Sequence, residues 1–133
     1  MERTMTDFHP NAFDTDCLTE SAKRILRILI LLGLQRGTEG TLTVSIGTLG
    51  AAAGLDQLEI STASIRALLA ECAKALTLLN PNDDDGEEAP AASCPVFLAV
   101  RLIDDQVFFE LDRPVYSLSI RELDDLLPMR PLS

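Results

Sequence analysis

The sequence predicts an α+β fold in a single domain, and three stretches carry that prediction. Thr43 to Leu79 reads as two helices joined at a glycine turn. Pro95–Ile103 and Gln106–Leu111 are β-rich runs that meet at Asp104-Asp105. Ser119 onward opens with the strongest local helix-start signal in the chain. At 133 residues and 47% hydrophobic, the chain has enough apolar material for one real core. The expected organisation is an N-terminal arm over 1–18, a folded domain over 19–127 with an acidic insertion at 80–93, and a tail over 128–133.

In chain order, Met1 to Cys17 has no periodicity and reads as an irregular arm, with Phe8 and Phe13 as its large anchors. Such anchors dock on their own core more often than on a partner. A helix is expected from a Thr19 cap through Arg36, stopped by Gly37. Ala22, Ile25, Leu26 and Leu29 face inward on it, while Lys23, Arg24 and Arg27 share the outer side. Ile28 to Leu32 is apolar all round and must be covered by the arm, the C-terminal helix or a second subunit. Thr41 to Val44 alternates and reads as a strand.

Ser45 can cap a short helix to Ala53, which Gly54 ends, with Gly50 placed where two helices approach. The next helix is expected from Ser61 or Thr62 to about Leu79, with Ile65, Leu68, Leu69, Cys72 and Leu76 on one stripe and a stop at Asn80-Pro81. Asn80 to Ser93 is a solvated acidic loop. Read as a calcium loop from Pro81, it puts Gly86 at the sixth position but Ala92 where the bidentate glutamate belongs, so the metal reading is weak. Aspartates suit the tight turn of the hairpin that follows. Val115 to Leu118 reads as extended, leading into a Ser119/Glu122 capping box with Leu118 and Leu123 as its staple.

Composition narrows the function classes. A formal net charge of -10 gives no global attraction to phosphate or anionic lipid, so such a partner needs a local basic patch. Three cysteines without a C-x-x-C pair fit a reducing compartment, and a cytoplasmic location is expected. No secretory signal is read at the N-terminus, and the apolar run Ile28 to Leu34 is too short to span a bilayer. One histidine, no glycine-rich phosphate loop and no metal-ligand spacing argue against an enzyme, and no metal or cofactor is expected.

The segments LTVSIGTLGAAAGL, IRALLAECAKALTLLN and VFLAVRLIDDQVFFEL follow one another as strand, helix, turn, helix and hairpin. Over roughly Thr19 to Leu111 this arrangement resembles the winged helix-turn-helix superfamily, and more weakly the winged-helix domains of plasmid replication initiators. The resemblance implies a helix-turn-helix and a β-hairpin wing, to which the capping box adds a short C-terminal helix, with duplex DNA read from the start of the third helix. Candidate DNA contacts are Gln57, Ser61, Thr62, Ser64, Arg66 and Lys74, joined by Lys23, Arg24 and Arg27. The first expectation is therefore a small, non-enzymatic DNA-binding regulator or initiator-like module, as a homodimer. The second is an acidic protein-interaction subunit of a larger assembly that does not bind DNA. The wing tip, Asp104-Asp105, is repelled by phosphate and fits the second. Ile28, Leu31, Leu32, Leu123 and Leu127 are the candidate partner interface. A joint basic surface of Arg27, Arg66 and Lys74 would favour DNA, and their separation by Glu59 and Glu71 would favour protein.

Overall fold

The computed structural model describes residues 8–16, 18–37, 40–81 and 92–127. They form a mixed α+β fold of four α-helices and two three-stranded antiparallel sheets. The elements run β1 (Phe8–Asp14), α1 (Glu20–Arg36), β2 (Leu42–Ser45), α2 (Ile46–Ala52), α3 (Thr62–Cys72), β3 (Leu76–Pro81), β4 (Ala92–Pro95), β5 (Phe97–Ile103), β6 (Gln106–Leu111) and α4 (Ile120–Leu126). Short 3-10 turns occupy Gln57–Glu59 and Arg113–Ser117. One sheet has the order β1-β3-β4, the other β2-β6-β5.

The central helix α1 is bounded as its caps dictate. Thr19 accepts from the backbone N–H of Ala22 at 3.3 Å, and Gly37, at φ 75°, donates its N–H to the Gly33 carbonyl at 2.9 Å. Ile25, Leu26, Leu29 and Ile30 are fully buried, each stabilising the fold by about 1.5–3 kcal/mol relative to exposure. Helices α2, α3 and α4 and strand β6 all pack on α1. The apolar half of α1 is thus covered within the chain: Ile28, Leu123 and Leu127 are all buried. Leu31 and Leu32 stay half-buried against the same core.

Between α2 and α3 the chain turns at Gly54, φ 76°, and Leu55 donates back to the Gly50 carbonyl at 2.9 Å. Gly50 is the close approach the sequence suggested, because a Cβ there would stand 2.5 Å from Ile60 Cγ1. The Ser119/Glu122 capping box forms reciprocally, at 3.1 and 2.9 Å, and Leu118 and Leu123 beside it are buried.

Four expectations need correction. The helix expected to run to Leu79 ends at Cys72, and Leu76–Pro81 is a strand instead. Its apolar run suits a buried strand as well as a helix, and β3 is the middle strand of its sheet, paired on both sides. The arm is not irregular throughout: residues 8–14 pair with β3, with a bulge between Pro10 and Ala12. An edge strand and a bulge are where a sheet accepts proline, and Phe13 packs on the core. The expected loop at 80–93 gives up both ends to β3 and β4, and 82–91 lies outside the described residues. Val115–Ser117 is not extended, because Asp112 accepts from the Arg113 N–H at 2.7 Å and starts a 3-10 turn there; only Leu118 is extended, at φ -77° and ψ 142°.

The two sheets meet at Val96. Its N–H donates to Ala75 at 3.3 Å and its carbonyl accepts from Asp112 at 2.9 Å, so one buried residue ties the start of β3 to the end of β6. No helix among the described residues is long and apolar enough to cross a membrane.

Candidate interaction surface

The nine basic and polar positions singled out in the sequence fall into four places. Gln57, Ser61, Thr62, Arg66 and Lys74 are exposed on the turn and outer face of α3, and Ser64 is half-buried there. The Ser61 hydroxyl is occupied as the helix cap, accepting from the Ser64 N–H at 3.1 Å. Lys23 is half-buried on α1.

Arg24 and Arg27 are not on an outer basic face. Arg24 is only 7% exposed, and its Nη1 lies 3.6 Å from where a Cβ on Gly54 would stand, under the turn between α2 and α3. Arg27 reaches a different neighbour. Its guanidinium pairs with Asp124, and its Nε donates to the Leu127 carbonyl at 3.2 Å, fastening the end of α4 onto α1. The physical reason for both is that α1 is packed from several directions, so positions read as a solvent face become contacts with neighbours.

The two acids expected to break up the basic surface also turn inward. Glu71 accepts from the Thr19 N–H at 2.7 Å, and Glu59 accepts from the Ser21 hydroxyl at 3.1 Å. Both therefore serve the start of α1. The outer face of α3 and the turn after it are left with Thr62, Arg66 and Lys74 among exposed alanines at 63, 67, 70 and 73.

A groove of about 210 Å³ runs between α3 and β5. Its α3 wall is Arg66, Leu69, Ala70 and Ala73, one face of the helix by their three- and four-residue spacing. The opposite wall is Val100, Arg101 and Leu102. Side chains alternate faces along a strand, so three consecutive residues can border one concavity only through the strand's edge. That edge is open: β5 ends its sheet, and no strand among the described residues pairs with its outer side. A second concavity of about 250 Å³ lies on the sheet's outer face, where Arg101 neighbours Ala99, Ile103 and Phe108. Leu98 and Ile103 on β5 are 59% and 49% exposed.

Compared with known proteins, the chain matches no family model, no curated protein and no solved structure. The surface must therefore be read from its own chemistry.

Arg101 is the residue that sequence reasoning missed. The hairpin's alternation was the available signal, since it sets Ala99, Arg101 and Ile103 on one face, and the register with β6 places Arg101 opposite Phe108. At the hairpin tip, Asp104 takes φ 57° and both aspartates are exposed.

The two thiols among the described residues, Cys72 and Cys94, offer no activated nucleophile. Burial pushes Cys72 up to about 12, with the Glu71 charge adding to it, and its thiol donates to the Ala22 carbonyl at 3.3 Å. Burial, then the charge of Asp112, holds Cys94 at about 11. Both stay protonated at neutral pH.

Proposed function

We propose that the chain is a non-enzymatic winged-helix domain that works by docking another protein, as a subunit of a larger assembly. The observation that carries this reading is the fate of the basic patch. Arg24 is buried and Arg27 is paired with Asp124, so the joint surface of Arg27, Arg66 and Lys74 that would grip phosphate is not formed. What remains outward is an open strand edge beside an alanine-lined helix face, on a chain of net charge -10. An acidic hairpin tip fits the same reading, because Asp104 and Asp105 would face the duplex where a wing meets DNA.

The winged-helix assignment is supported by element order and sheet order. Strand β2 lies between α1 and α2, α3 follows the glycine turn, and the β5-β6 hairpin pairs back onto β2 through β6. Duplex DNA remains a second reading on one observation: Glu59 and Glu71 turn to α1 and leave Arg66 and Lys74 on a face without their charge.

Fluorescence anisotropy with a mixed-sequence duplex at low salt separates the two readings. No binding is expected. Binding that weakens steeply as salt rises, and that Arg66→Ala abolishes, would overturn the protein-docking reading in favour of DNA.

A further inference from the structure

We propose that the groove between α3 and β5 receives an extended, carboxylate-bearing segment of a partner protein, which adds to the open edge of β5 as a further strand. The inference rests on the protein-docking reading above and names the partner's chemistry.

The backbone pattern fixes which groups are offered. In a two-residue hairpin the residues flanking the turn, here Ile103 and Gln106, exchange backbone bonds, and pairs then alternate along the ladder. Arg101 therefore bonds to Phe108, while Val100 and Leu102 aim their N–H and C=O groups away from β6. These are the residues that border the groove. An incoming strand meets a ready row of donors and acceptors there.

Side chains set the pattern that strand must carry. Val100 and Leu102 are half-buried on the inner face, and the facing wall of α3 supplies Ala70 and Ala73, which leave room for β-branched or other apolar residues. On the outer face, the residue directly across from Arg101 lies at cross-strand distance from its side chain, where a carboxylate is favoured and a like charge is not. Arg66 contributes the second guanidinium from the helix side. Among the described residues, no acid lines this groove. The matching segment therefore alternates apolar and acidic residues.

The test uses the full chain and two short fluorescein-labelled peptides, one alternating valine with glutamate and the other valine with lysine. Saturable binding of the glutamate peptide is expected, with amide shift changes confined to β5 and the outer face of α3. The lysine peptide should bind at least about tenfold more weakly. Reversing both charges, Arg66→Glu with Arg101→Glu, should exchange the two preferences, a gain that misfolding cannot produce. Val100→Pro removes the outward N–H, and Ala70→Trp fills the groove from an exposed position; each should abolish binding with an unchanged circular dichroism spectrum.

Failure of the glutamate peptide to saturate at millimolar concentration would overturn the inference. So would unaltered binding to Ala70→Trp, or a concentration-dependent dimer in which β5 pairs with a second copy. If the duplex titration is also blank, only this inference fails and protein docking stands; if the duplex binds, the underlying reading fails first.

Discussion

Replacing Phe109 with alanine is expected to lower the unfolding free energy by about 3–5 kcal/mol, the range for truncating a buried aromatic. Phe109 is 1% exposed at the centre of the β2-β6-β5 sheet, where its cross-strand neighbours are Leu42 and Val100. Its ring meets Phe97 edge-on at 6.3 Å and 89°, so truncation also removes a favourable aromatic pair. Domains are stable by only about 5–15 kcal/mol, so the loss brings the chain near its limit. Urea denaturation followed by circular dichroism measures it as a lowered midpoint. Phe108→Ala, on the half-buried outer face of the same strand, is the comparison and should cost much less.

Gly33→Val is expected to destabilise by the upper end of the overpacking range, about 3 kcal/mol or more. A Cβ at Gly33 would stand 2.2 Å from Leu111 Cδ1 and 3.2 Å from its Cγ. Leu111 is 1% exposed and has nowhere to retreat, so helix and sheet must separate or the leucine must leave its rotamer. Helix propensity offsets only a few tenths of a kcal/mol of this, because valine is only slightly better than glycine in a helix. In the same denaturation series Gly47→Ala serves as the control. Nothing lies within 4 Å of a Cβ there, and alanine in helix α2 should hold or slightly raise the midpoint. Equal effects at the two glycines would contradict the packing of α1 on β6.

What was legible in the sequence was local. Thr19 and Gly37 bound α1, Ser119 and Glu122 start α4, and Asp104-Asp105 turns the hairpin, because each signal needs only its own neighbours in the chain. What was illegible depended on the third dimension. Leu76 to Leu79 is apolar without revealing whether a helix or a sheet will use it, and pairing with both β1 and β4 decides. The end of α3 carries no glycine; its last turn closes through Lys74 to Glu71 and Ala75 to Cys72 instead. Arg24 and Arg27 read as a solvent face because α1 reads as amphipathic there, whereas α2, α3, α4 and β6 all pack on it. Gly33 passed as an ordinary helix residue, although its missing Cβ is what admits Leu111.

The candidate surface was half legible. Arg66 is exposed on α3, where helical periodicity sets it, whereas Lys74 is exposed in the turn just past the helix end at Cys72. The partner of Arg66 across the groove, Arg101, comes from a strand separated from α3 by β3 and β4, a distance in sequence that no local pattern bridges.

Backbone hydrogen exchange, followed residue by residue by NMR, tests the open edge of β5 most directly. The account predicts that the amides of Val100 and Leu102 exchange far faster than those of Arg101, Val107 and Phe109, whose sheet partners hold them until the domain opens. Val100 and Leu102 protected as strongly as the central strand would contradict it, because a paired or covered edge has no row of groups left for a partner strand.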